Sequence, residues 1–131
     1  MSLHQKKIQK EIDEINSILN IDFEELQSFN ELGKLPLNQE VKFKGNIKVT
    51  KILHTKNMLR FTTIIPPRGS FNNHWHDCLE VVTILSGKLS DKIKKIESDI
   101  DSKAVYLVGE KHIPYNPSYT RCCFLIVDFY K

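Results

Sequence analysis

Apolar residues recur at Ile8, Ile12, Ile15 and Leu19, steps of four, three and four that draw one stripe down a helix. A second helix is expected from Asp22, where D-F-E-E sets a Glu three residues after an Asp in the manner of a capping box. Phe23, Leu26 and Phe29 form its stripe, Gly33 stops it, and Pro36 blocks further helix. Helices this small cannot bury their own stripes. They must pack on the rest of the chain or on a second copy, and a homodimer is expected.

After Pro36 the period shortens. Short β-rich runs follow at 41–43, 47–53, 58–65, 79–85, 89–96, 104–108 and 122–130, separated by turn signals such as KGN, HTKN, PPRGS and YNPS. Seven or eight strands without intervening helices predict an all-β sandwich or barrel over 37–131, preceded by a helical extension over 1–36. The polar stretch ESDIDSK at 97–103 reads as a hairpin tip. Phe61, Ile64, Val82 and Ile84 are core by pattern, and Trp75 reads as sheet packing.

Composition narrows the class. With 131 residues, 40% hydrophobic and 27% charged, one folded domain is expected. No apolar run reaches the ~18 to 20 residues that span a bilayer, and the N-terminus lacks the apolar centre of a signal peptide, so a cytoplasmic protein without membrane partners is expected. The net charge of +3 divides into an acidic first 40 residues (four Lys against eight acids) and a basic remainder (fifteen Lys and Arg against eight acids). Arg60, Arg68 and Arg121 are its only arginines and the lysines are dispersed, which argues against a nucleic-acid partner. Cys78, Cys122 and Cys123 have no C-x-x-C spacing, so neither a disulfide framework nor a zinc knuckle is signalled.

The chemistry concentrates in GSFNNHWHDCLEVVTILSG, residues 69–87. His74 and His76 are two apart, so on an extended strand both imidazoles leave the same face, about 6.6 Å apart. Glu80 would lie about 20 Å from His74 on a straight chain, so the backbone must bend near Asp77 and Cys78 for the three to share an ion with bonds of about 2.1 Å. Two neutral imidazoles and one carboxylate suit Fe(II), Mn(II), Ni(II) or Zn(II), with the remaining positions open to a small-molecule ligand.

This stretch resembles the first signature motif of the cupin superfamily, H-x-H, three residues, E, six residues, G, met here by His74, His76, Glu80 and Gly87. Gly69 is similar to the family's leading glycine, one residue closer than usual. GEKHIPYNPSY at 109–119 resembles the second motif, with Gly109, Pro114 and Asn116 at its glycine, proline and turn positions. In that alignment Tyr119 stands where the family places its third metal-binding histidine.

The resemblance covers about 41–131. It implies a cupin-type double-stranded β-helix, a jelly-roll barrel holding its ligand inside or at the mouth, with two N-terminal α-helices added. It also implies a divalent metal held by His74, His76 and Glu80. Tyr119 would orient a substrate or shuttle a proton; His112, and less so His54, are the other candidates for a third nitrogen. The function expected is a dioxygenase-like or isomerase-like cupin acting on a small oxygen-bearing molecule. The alternative is a non-catalytic binding or sensing cupin whose metal site is degenerate.

Overall fold

A computed structural model describes residues 2–7, 26–94 and 102–131, and the backbone of 97–98. Residues 3–7 are helical. The expected stripe at Ile8, Ile12, Ile15 and Leu19, and the capping box at Asp22, fall outside the described residues. The helix that is described, α1 (Phe29–Gly33), starts later than expected. Its capping box is Ser28 with Glu31: the Ser28 hydroxyl accepts from Glu31 N–H at 3.0 Å, and the Glu31 carboxylate accepts from Ser28 N–H at 3.2 Å. Leu26 and Gln27 precede it as non-helical chain.

Among the described residues nine strands follow: β1 (Glu40–Phe43), β2 (Ile47–His54), β3 (Met58–Ile65), β4 (Leu79–Ser86), β5 (Leu89–Asp91), β6 (Glu97–Ser98), β7 (Lys103–Tyr106), β8 (Pro114–Tyr115) and β9 (Cys123–Tyr130). They form an antiparallel six-stranded sheet in the order β1-β2-β3-β9-β4-β7 and a three-stranded sheet in the order β6-β5-β8. Strand period decides which side chains turn inward. Along β3, Leu59, Phe61, Thr63 and Ile65 are buried and alternate with half-buried neighbours. Leu59, Phe61 and Ile65 join Val49, Val82, Ile84, Leu125, Val127 and Phe129 in one apolar core, which Leu26, Phe29, Leu32 and Leu35 of the N-terminal segment enter from outside the sheets.

Two strands stop earlier than their apolar runs suggest. The run at 89–96 leaves the sheet after Asp91, whose carboxylate accepts from the N–H groups of Ile93 and Lys94 and so turns the chain. The run at 104–108 ends at Tyr106, where Glu110 N–H donates to Leu107 C=O and the Glu110 carboxylate accepts from Leu107 N–H. Of the 97–103 stretch, 97–98 pair with β5 and Lys103 opens β7.

Two polar anchors and one close backbone approach hold the strands and loops together. Arg60 forks onto Asp128 directly across the β3–β9 ladder, at 2.8 and 3.1 Å. Asn116, fully buried, sends its amide to the carbonyls of Ile65, Pro66 and Arg121, while its own carbonyl accepts from Ser118 N–H. Gly87, at φ 84°, passes so close to β9 that a Cβ there would stand 2.7 Å from the Cys122 carbonyl oxygen.

Candidate metal centre

The segment from Gly69 to Cys78 joins β3 to β4 and is laid against the 107–116 loop by backbone bonds. His74 and His112 exchange both of their N–H···O=C bonds as an antiparallel pair, at 3.1 and 2.9 Å, Phe71 N–H donates to Pro114 C=O, and Gly109 N–H donates to His76 C=O. The chain then bends at Asp77 and Cys78 before β4 begins. Across the bend, Asp77 N–H donates to Gln27 C=O at 2.7 Å. Glu80, the second residue of β4, therefore turns back toward the histidines instead of lying about 20 Å away.

Three imidazoles and one carboxylate meet there. His74, His76 and His112 each offer a ring nitrogen, and the three lie within 4.8 Å of one another. His76 Nε2 stands 3.7 Å from Glu80 Oε1. His112 Nε2 stands 3.2 Å from Glu80 Oε2, within ion-pair range. Its approach is not aligned as a hydrogen bond, however, and both atoms are left without one. All four residues are at most 5% exposed.

The opposite ring nitrogens determine what the cluster can accept. His74 Nδ1 lies 2.8 Å from Asn72 C=O, His76 Nδ1 3.0 Å from Leu26 C=O, and His112 Nδ1 2.9 Å from Glu110 C=O. A carbonyl oxygen only accepts, so each Nδ1 carries a proton, and each ring, when neutral, turns an Nε2 lone pair inward. Backbone carbonyls at Nδ1 are the arrangement that orients histidine toward a metal. Three Nε2 atoms then face one carboxylate. A cation satisfies them all, and the imidazole and carboxylate donors fit a divalent transition metal.

Electrostatics separate His74, neutral, from His112, which Glu80 favours in its charged form. Burial, helped by the neighbouring His112, pushes the His74 pKa down to about 4, so that ring is neutral at physiological pH. Burial would raise Glu80, but the surrounding imidazoles, His112 foremost, outweigh it and hold the carboxyl below its ordinary value. Burial would likewise lower His112, and the Glu80 carboxylate reverses that and raises it. Rings brace the cluster: Tyr106 stacks on His112 at 4.0 Å and 11°, its hydroxyl donating to Asp91 at 2.9 Å, and Phe129 meets His76 edge-on at 4.9 Å.

The structure does not bring Tyr119 to this cluster. Its side chain is 78% exposed, its ring lies 4.6 Å beneath the Arg68 guanidinium, and it does not line the cavity beside the histidines. The third imidazole is that of His112, seven residues earlier. Counting forward from Gly109 as a leading glycine overshoots it. The sequence carries no local signal for it: His112, Pro114 and Asn116 are buried while Ile113 and Tyr115 between them are half-buried, an alternation that the fold imposes and H-I-P-Y-N does not display. His54 is exposed and lies elsewhere, 2.8 Å from Lys51 Nζ. Cys78 is buried and its thiol is pushed up to about 12, first by burial and then by Glu80 and Asp77, so it carries no thiolate chemistry. Trp75 is half-buried.

Beside the cluster is a narrow pocket, with about 20 Å³ open to the centre of a water-sized sphere and about 340 Å³ of empty space once its solvent-facing mouth is included. His74, Glu80 and Thr63 give it polar atoms, and its other walls include Phe71, Val82, Leu89 and Leu125.

No family model and no curated protein sequence matches the chain. Solved structures do. A cupin described as RmlC-like from Shewanella frigidimarina aligns with 71% of this chain and 83% of its own at a TM-score of 0.63 and 12% identity. KdgF from Halomonas sp. aligns with 71% and 86% at 0.62 and 9% identity. The polyketide cyclase RemF from Streptomyces resistomycificus aligns with 73% and 70% at 0.58 and 15% identity. At these identities the likeness shows the fold alone. The chain has the all-β cupin jelly-roll fold, and the buried three-histidine cluster inside it fits a metal-binding cupin. Among the described residues no helix is long and apolar enough to cross a membrane.

Proposed function

We propose that this cupin binds one divalent metal, Fe(II), Mn(II), Ni(II) or Zn(II), through Nε2 of His74, His76 and His112 and the carboxylate of Glu80, and holds a small oxygen-bearing molecule in the cavity beside it. The observation that carries the reading is the set of three Nδ1 contacts to backbone carbonyls, which aim three lone pairs at one point. A bound divalent cation supplies Lewis acidity, polarising an oxygen of the ligand. The protein's own groups do the rest. The Asn72, Leu26 and Glu110 carbonyls hold the ring tautomers, Phe71, Val82 and Leu125 exclude water from one side, and Glu80 keeps its charge inside the core.

An enzyme of the dioxygenase or isomerase kind is one use of such a site. One feature favours binding without turnover: among the described residues lining the cavity, the titratable groups are His74 and Glu80, both drawn into the metal set, and Tyr106, whose hydroxyl is committed to Asp91. Metal analysis after equilibration with zinc or cobalt tests the reading. Wild type should carry one ion per chain and melt higher than the chelator-treated protein, and Glu80→Gln and His76→Ala should carry little. Equal metal content in all three removes the proposal.

A further inference from the structure

Thr63 is the exception in an otherwise apolar row. On β3 the inward side chains are Leu59, Phe61, Thr63 and Ile65, all at most 2% exposed, and Thr63 faces Val49 of β2 and Leu125 of β9 across the ladders. Its Oγ1 has no hydrogen-bond partner, and the residue lines the cavity together with His74 and Glu80. A valine would fill the same volume without stranding a hydroxyl, so this one is poised for something that enters the cavity.

The rest of the wall limits what that is. Among the described residues no Lys or Arg lines it, so a phosphate or a second carboxylate would have no counter-charge there. One hydroxyl cannot satisfy a polyol either, because each further ligand hydroxyl would be buried unpaired. Charge sets the remaining condition. Three neutral imidazoles, one carboxylate and a divalent cation leave a single positive charge in a water-poor pocket, which one singly charged anion neutralises and a dianion overshoots.

Resting on the metal site proposed above, we propose that the cavity takes a compact apolar molecule bearing one carboxylate, and that Thr63 Oγ1 donates a hydrogen bond to one of its oxygens. Sugar phosphates, dicarboxylates and polyols are excluded as ligands of this pocket. Thr63 is then the residue that sets specificity, and the apolar side chains of Phe71, Val82 and Leu89 accommodate the ligand's hydrocarbon body.

The test uses the full chain loaded with cobalt(II), with metal content measured first and 3-methylbutanoate, succinate, erythritol and inorganic phosphate titrated by calorimetry and by the cobalt visible spectrum. Only 3-methylbutanoate should bind and shift the spectrum. Thr63→Val should take up cobalt as wild type does but bind 3-methylbutanoate about tenfold more weakly, and Thr63→Ser should restore it to within about threefold. Tight binding of succinate, erythritol or phosphate overturns the proposal, as does equal binding by Thr63→Val. Cobalt uptake by wild type with no response to 3-methylbutanoate overturns this ligand class and leaves the metal site standing. No cobalt uptake overturns both.

Discussion

In the metal-free protein, stability should peak near pH 6.5 and fall on both sides, each limb owing to a different histidine. An unfolded histidine titrates near 6.5, whereas folded His74 titrates at about 4. As pH falls through that window the unfolded chain takes up a proton that the folded chain refuses, so stability rises with pH there and is lost toward pH 4. At about 1.4 kcal/mol for each step of pH between 6.5 and 4, the acid limb is worth on the order of 3 kcal/mol. Glu80, held below its ordinary value, adds to the loss at the acid end. His112 acts in the other direction: its folded pKa is raised, so its contribution is complete below 6.5 and disappears as pH climbs through the folded value. Urea melts in chelator at half-unit steps from pH 4 to 8.5 measure the curve. His74→Gln should flatten the acid limb and His112→Gln the alkaline one. An acid slope unchanged in His74→Gln would refute the reasoning.

His112→Ala should weaken metal binding by about two orders of magnitude, since about 12 kcal/mol of site energy shared among four donors is about 3 kcal/mol each; Tyr119→Phe, read by the same titration, should leave it within about twofold. Gly87→Ala should lower unfolding free energy by more than about 2 kcal/mol, because the left-handed backbone and the 2.7 Å approach to Cys122 C=O act together, and chemical denaturation would show it. Asn116→Ala removes the amide that ties the carbonyls of Ile65, Pro66 and Arg121 together and should cost about 2 to 4 kcal/mol in the same assay.

The strands were legible because alternation is local: the eight residues of β3 carry their inward face in their own order. His74, His76 and Glu80 were legible for a similar reason, being one short stretch interrupted by a single bend. His112 was not, because its neighbour is 38 positions away and they meet only through the antiparallel pairing of two loops, which turn geometry sets. The helix expected from Asp22 to Gly33 is not continuous, because Leu26 and Gln27 are non-helical and S-F-N-E, with Ser28 and Glu31 making both reciprocal bonds, caps the turn that follows. The early ends of β5 and β7 were hidden because Asp91 and Glu110 turn the chain through side-chain bonds that apolar periodicity does not register.

Anomalous diffraction from crystals equilibrated with zinc or cobalt, collected on either side of the metal's absorption edge, examines the core of this account without recourse to activity. It should return one strong peak in contact with Nε2 of His74, His76 and His112 and with the Glu80 carboxylate. A map without a peak there, under conditions in which the metal is bound elsewhere on the chain, would contradict it.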